Sequence, residues 1–187
     1  MVIGHKENGK FHPHNKSKKI SSDDSDWSLT LGGEEPKPII DNYAKIQRVA
    51  KNQFFGDIIL ETRKGNIPCE IPPSYYVVFG SNREGRHGKG MALKAKQCWG
   101  AKYGQGRGLQ GQSYALPTKE TPYRSLSEDQ VKREVDMFLD YARRNKDKHF
   151  LVGAVGTRNA GFSVEFMRSL FKNARNERNI TLPDLFM

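Results

Sequence analysis

Cysteine is scarce in this chain. Cys69 and Cys98 stand without CxxC spacing, which excludes both a disulfide framework and a cysteine zinc site as organising principles. Cys98, beside Trp99 near a helix end and without a paired histidine, reads as a buried apolar residue and a poor nucleophile. Long apolar runs are missing as well: none approaches the ~20 residues of a membrane helix. The start, MVIGHKENGK, lacks the apolar stretch of a secretory signal. These absences give the expectation of a soluble, cytoplasmic protein with no membrane partner. Acidic residues are the minority, 21 against 31 Lys and Arg, for a net charge of +10 over 187 residues. Such an excess suits polyanions or phosphorylated small molecules and says nothing of fold.

Residues 1–36 have few groups able to build a core and read as a flexible polar arm. Five lysines and one Glu fill residues 1–20, and five acids without a base fill 21–36, so the arm carries −1 and the remainder +11. It is either a solvated tail or an arm that tethers phosphate or a partner. His5, His12 and His14 do not have helical ligand spacing, and no metal or cofactor is expected. Residues 37–187 form the domain proper. Within it, residues 82–124 hold nine Lys or Arg and two Glu, a net of +7 that coincides with the glycine-rich part of the chain.

In that domain, residues 41–55 have a rough helical period. Residues 57–62 read as a strand, Lys64-Gly65-Asn66 as a turn, and residues 67–71 as a second strand weakened by Pro68. The run 74–79, β-branched and aromatic, predicts a strand buried on both faces. A loop over 81–90 leads to a helix over 91–99, and five glycines make 100–111 irregular. A strand over 112–116 should stop at Pro117. Ser127, with Gln130 three residues on, predicts an N-cap and a helix to about Asn145. A buried-type strand over 149–155, a glycine-bounded loop over 156–161, a helix capped by Ser163 and running from Val164 to about Arg175, and a strand over 180–182 complete the order. The alternation implies an α/β fold, a three-layer α/β/α sandwich on a mixed, mostly parallel sheet. Both glycine loops follow strands and precede helices, which puts them at the sheet edge where ligands bind.

The first loop has glycines at 80, 85, 88 and 90 between strand and helix. Glycine admits close backbone approach, and the helix that follows offers unpaired N–H groups, so the segment is either an anion-binding loop or a tight strand-to-helix turn. Lys89 is followed by Gly90 instead of Ser or Thr, which excludes a Walker A loop.

Asn82-x-x-Gly85-x-x-Gly88-Lys89-Gly90-x-Ala92-x-x-x-Lys96 resembles the ligand loop of macrodomains, the ADP-ribose-binding α/β/α domains. The branch it resembles most contains the antitoxin that removes ADP-ribose from DNA bases. Leu116-Pro117-Thr118-Lys119 is similar to a strand end of that branch, and Gly156 to Phe162 to the second phosphate loop. The arrangement also resembles that of uncharacterised small phage and bacterial proteins. The matches span roughly residues 57–186.

The resemblance implies that Asn82 bonds the distal ribose, that Gly85, Gly88, Lys89 and Gly90 line the diphosphate and ribose, and that Gly156, Gly161 and Phe162 cover the other side. Asp57 would accept from the adenine amino group, although its spacing to Asn82 is longer than the family's and makes Lys64-Gly65 an insertion. Arg158 stands where the branch has a small residue. For hydrolysis of the glycosidic bond, the resemblance singles out Lys119 as the free amine acting at the anomeric carbon. His87, Glu84 and Glu120 are candidates for proton transfer. The alternatives are a phosphate-pairing or solvated Lys119 and a His87 bonded to backbone. Trp99, Tyr103, Tyr114 and Tyr123 interleave with bases and serve either nucleic-acid stacking or packing. Three functions follow: an ADP-ribosyl hydrolase, a non-catalytic module for ADP-ribose or another phosphorylated nucleotide, and a basic nucleic-acid-binding accessory protein.

Overall fold

The computed structural model describes residues 39–187, and the arm of residues 1–36 lies outside them. Helix α1 (Ile39–Arg63) is followed by β1 (Tyr75–Asn82), α2 (Gly90–Cys98), β2 (Gly108–Gln110) and β3 (Ser113–Thr121). Then come β4 (Arg124–Ser125), α3 (Glu128–Arg144), β5 (His149–Val152), α4 (Val164–Leu170) and β6 (Ile180–Thr181). The sheet runs β2-β3-β1-β5-β6, with β4 beside the far end of β3. Strands β3, β1, β5 and β6 are mutually parallel where they pair, while β2 and β4 are antiparallel to β3, so the sheet is mixed and mostly parallel as expected.

The pleat sends successive side chains to opposite faces, and both faces are covered. Val78, Tyr114, Leu116, Phe150 and Val152 pack with Val131, Val135 and Phe138 of α3 and Met167 of α4. Val77, Phe79, Ala115 and Leu151 pack on the other face with Ile58 of α1 and with Ala95 and Trp99 at α2. Continuous apolar runs in β1 and β5 are what a strand between two helical layers requires.

The segment expected as a strand over 57–62 is the last part of α1. Phe55, Ile58, Ile59 and Thr62 are among its buried or half-buried positions, a three-to-four spacing that packs a helix and that outweighs both the β-branched content and Gly56. Nor do residues 67–71 form a strand. Their carbonyls are taken by side chains: Lys94 Nζ donates to Ile67 O at 2.6 Å, and Trp99 Nε1 to Pro68 O at 3.2 Å and Cys69 O at 3.0 Å. The cysteines correct a further expectation, for Cys69 and Cys98 form a disulfide with Cα atoms 5.0 Å apart. Cys98 is therefore not a free apolar residue.

Strand β3 continues through Pro117 instead of ending there. Pro117 lies opposite Ser81 of β1, and on the other edge of β3 it falls after the last β2 pair, Gly108↔Ala115, and before the first β4 pair, Lys119↔Ser125, so on that edge its missing N–H leaves no ladder bond unmade. Helix α3 follows the sequence closely: Ser127 and Gln130 form a full capping box. Helix α4 stops at Leu170, short of the expected Arg175. No helix among the described residues is long and apolar enough to cross a membrane.

Candidate functional site

From β1 the chain crosses through α2 to β3 on one side, then passes back through α3 to β5 on the other. The two crossovers diverge at β1, and a crevice opens beyond the carboxyl ends of strands at such a point. Here it is a hollow of about 620 Å³. Gly80, Ser81 and Thr118 at the strand ends, with Gly153 to Val155 after β5, line its base. Arg86 and Gly88 to Ala92 border it from the first loop and α2, Gly156 and Arg158 to Ala160 from the second loop. The tip of the β3–β4 hairpin, Pro122 and Tyr123, completes it. The two loops converge: a Cβ built on Gly90 would stand 3.7 Å from Asn159 Nδ2.

Four cations, Arg86, Lys89, Lys119 and Arg158, border this space, and among the described residues no Asp or Glu does. Helix α2 adds to the positive field. Its N-cap, Lys89, makes no side-chain cap and its first turn has no acid, so the N–H groups of that turn are left for a ligand. Lys119 Nζ donates to Pro122 O at 2.5 Å and Asn159 O at 3.2 Å, joining the hairpin tip to the second loop. Ser125 Oγ repeats that link by donating to Ala160 O at 2.8 Å.

The first loop divides into a face toward the hollow and a face toward the protein. Asn82 closes it: Nδ2 donates to Arg86 O at 2.9 Å while Oδ1 accepts from Arg86 N at 3.1 Å. Gly85, at φ +69, lies against Gly104 and Gln105 and does not border the hollow. Gly104 N donates to Gly85 O at 3.1 Å, and Ser81 Oγ donates to Gly106 O. His87 points the same way. It is 3% exposed, its Nε2 lies 3.1 Å from Gln105 O, and its ring meets Phe79 edge-on at 5.1 Å. Burial pushes its pKa below the ordinary histidine value.

Residues 102–108, part of the irregular glycine-rich stretch, thus brace the loop from behind. Arg107 and Arg83 in turn both pair with the buried carboxylate of Glu134 on α3, Arg107 Nε at 2.8 Å and Arg83 Nη2 at 3.4 Å. Burial beside Glu134 pushes the Tyr114 phenol up to about 12. The signal for this brace was the close glycine spacing at Gly104, Gly106 and Gly108, legible only once its partner was known.

Of the residues singled out in the sequence, Asn82, Gly88, Lys89, Gly90, Lys119 and Gly156 come together around the hollow. Gly85, His87, Glu84, Gly161, Phe162 and Asp57 are not among its bordering residues. Glu84 is exposed and pairs with Arg86 at 2.8 Å, and Glu120 pairs with Arg83 at 2.8 Å. Gly161, at φ +75, turns the second loop toward α4, and Phe162 packs on Phe166 with ring centroids 5.6 Å apart. Asp57 is an exposed residue of α1. Trp99 and Tyr114 belong to the core, which leaves Tyr103 and Tyr123 as the exposed aromatics of the basic stretch. Among the described residues no group of three His, Cys, Asp or Glu is placed to hold a metal ion.

Comparison with protein families, curated proteins and solved structures finds no match to this chain.

Proposed function

We propose that this protein binds ADP-ribose, or a closely related NAD-derived nucleotide, in the hollow at the strand ends. The observation that carries the reading is a space of about 620 Å³ bordered by Arg86, Lys89, Lys119 and Arg158 without a carboxylate, at the open N-terminus of a helix. A diphosphate fits that chemistry: it is doubly anionic, accepts backbone N–H bonds and is held by charge from several sides. The resemblance of the Asn82 to Gly90 segment to macrodomain ligand loops supplies the choice of nucleotide.

Calorimetric titration with ADP-ribose at moderate salt tests it. Saturable heat that weakens in Lys89→Ala and Arg158→Ala supports the pocket. No heat with ADP-ribose, together with salt-steep binding to DNA or RNA, refutes it and favours a nucleic-acid accessory protein.

A second reading, hydrolysis of the bond between ADP-ribose and a macromolecule, is favoured by Lys119 bordering the hollow. The glycosidic heteroatom would leave C1 with a proton as the lysine amine bonds to C1, and water would then cleave the C1–Nζ bond. Release of ADP-ribose from modified DNA or protein by the wild type, lost in Lys119→Ala, is the outcome this reading requires. Full activity in that variant would remove Lys119 from the chemistry.

A further inference from the structure

Asp57, expected to receive the base of the nucleotide, is an exposed residue of α1 that does not border the hollow. Something else must hold the base if the phosphates lie among the four cations. The residues around the hollow include one aromatic side chain, Tyr123. It is 93% exposed although it borders a cavity, and it has no aromatic partner among the described residues. A ring so placed keeps a free face beside a cationic site, which is the usual provision for stacking a base.

The backbone under this ring is fixed from three directions. Pro122 and Tyr123 form the two-residue turn between the paired Thr121 and Arg124. Thr121 Oγ1 accepts from Tyr123 N at 3.3 Å and Arg124 N at 3.2 Å. Lys119 holds both Pro122 O and Asn159 O, and Ser125 holds Ala160 O, so the hairpin is tied to the second loop from both of its strands. With Pro122 restricting φ as well, little more than two side-chain torsions remains to be ordered on binding, the economy that makes tyrosine common at recognition surfaces. Tyr103, the other exposed aromatic of the basic stretch, has no such place at the hollow.

We propose that Tyr123 is the stacking platform for the base of the nucleotide held in the hollow, taking the place that the resemblance to macrodomains implies for Asp57. The inference rests on the proposed nucleotide reading and adds the pose. The base lies at the hairpin rim, the phosphates lie among Lys89, Arg158 and the start of α2, and the second ribose lies toward Asn82. Lys119 then pins the hairpin beneath the base through Pro122 O and Asn159 O, a positioning role that excludes the chemical role given to it in the second reading.

Wild type, Tyr123→Ala, Tyr123→Phe and Asp57→Ala are titrated with ADP-ribose and with inorganic pyrophosphate. Tyr123→Ala should weaken ADP-ribose by roughly 5- to 150-fold, the range for loss of one aromatic–base stack. Tyr123→Phe should stay close to wild type, because the ring and not the hydroxyl acts, and Asp57→Ala should not change binding. Pyrophosphate should bind all four alike. Unchanged ADP-ribose affinity in Tyr123→Ala overturns the inference while the pocket stands, as does a wild type that binds pyrophosphate but gains nothing from the adenosine. A wild type that binds neither ligand overturns the reading of the hollow and the pose with it.

Discussion

The first glycine loop carries two glycines, three positions apart, whose replacement should have opposite consequences. Gly85 adopts φ +69, and a Cβ there would stand 2.5 Å from Gly104 C, 2.8 Å from Gln105 C and closer still to the Gln105 nitrogen. All of these are backbone atoms, so no side chain can swing aside and the bracing segment itself must move. The left-handed conformation costs about 1–2 kcal/mol for a residue with a Cβ, and the forced separation adds about 1–3 kcal/mol, as overpacking does in cores. Gly85→Ala should therefore lose about 2–5 kcal/mol, which at roughly 2–4 °C per kcal/mol for a chain of this size lowers Tm by about 4–20 °C. Gly88 has nothing within 4 Å of the position a Cβ would take and borders the hollow. Gly88→Ala should unfold with the wild type yet bind ADP-ribose several-fold more weakly, because the methyl group keeps the ligand off the backbone. Thermal unfolding and calorimetry on the two variants make the comparison. A Gly85→Ala protein melting within a degree or two of wild type would refute the argument that segment 102–106 braces the loop.

Two further predictions concern stability. The Cys69–Cys98 disulfide closes a sequence separation of 29 residues. Loop-closure entropy then assigns it about 3–4 kcal/mol, so reductant or Cys69→Ser with Cys98→Ser should lower the urea midpoint accordingly, and thiol titration of the unfolded, unreduced protein should find no free thiol. Burial, as the largest cause, lowers the pKa of both His87 and His149 below the ordinary histidine value. Above pH ~6.5 both are neutral in the folded and unfolded chains, and their packing counts in full. As pH falls below that value the unfolded chain takes up protons that the folded chain resists, so stability declines until the lowered folded-state values are passed. Urea midpoints measured between pH 7.5 and 5 should fall more steeply for wild type than for His87→Gln, and equal slopes would show that His87 is not a buried neutral ring.

How much of this was legible before the fold was known can be judged from individual elements. Helix α3 was, because Ser127, Gln130 and a three-to-four apolar spacing act within one turn of chain. Strands β1 and β5 were legible because unbroken β-branched and aromatic runs have few other uses. The end of α1 was not, since Ile58, Ile59 and Leu60 suit a strand equally well by composition, and only packing of Ile58 and Thr62 against the sheet decides for helix. Pro117 was read as a stop because a proline is harmful wherever a neighbouring strand needs its N–H, and a gap between β2 and β4 is a property of the sheet.

The sequence by itself determined that this is an α/β chain with glycine loops after two strands and a concentrated positive charge, since propensity, period and charge count are local or additive. Which glycine borders the hollow and which touches protein, whether Cys69 and Cys98 meet, and whether His87 and Asp57 lie in the hollow were settled by tertiary structure alone. Each of those facts depends on a partner many positions away in the chain, Gln105 for Gly85 and His87, Glu134 for Arg83 and Arg107, and no property of the residue itself encodes where that partner will be.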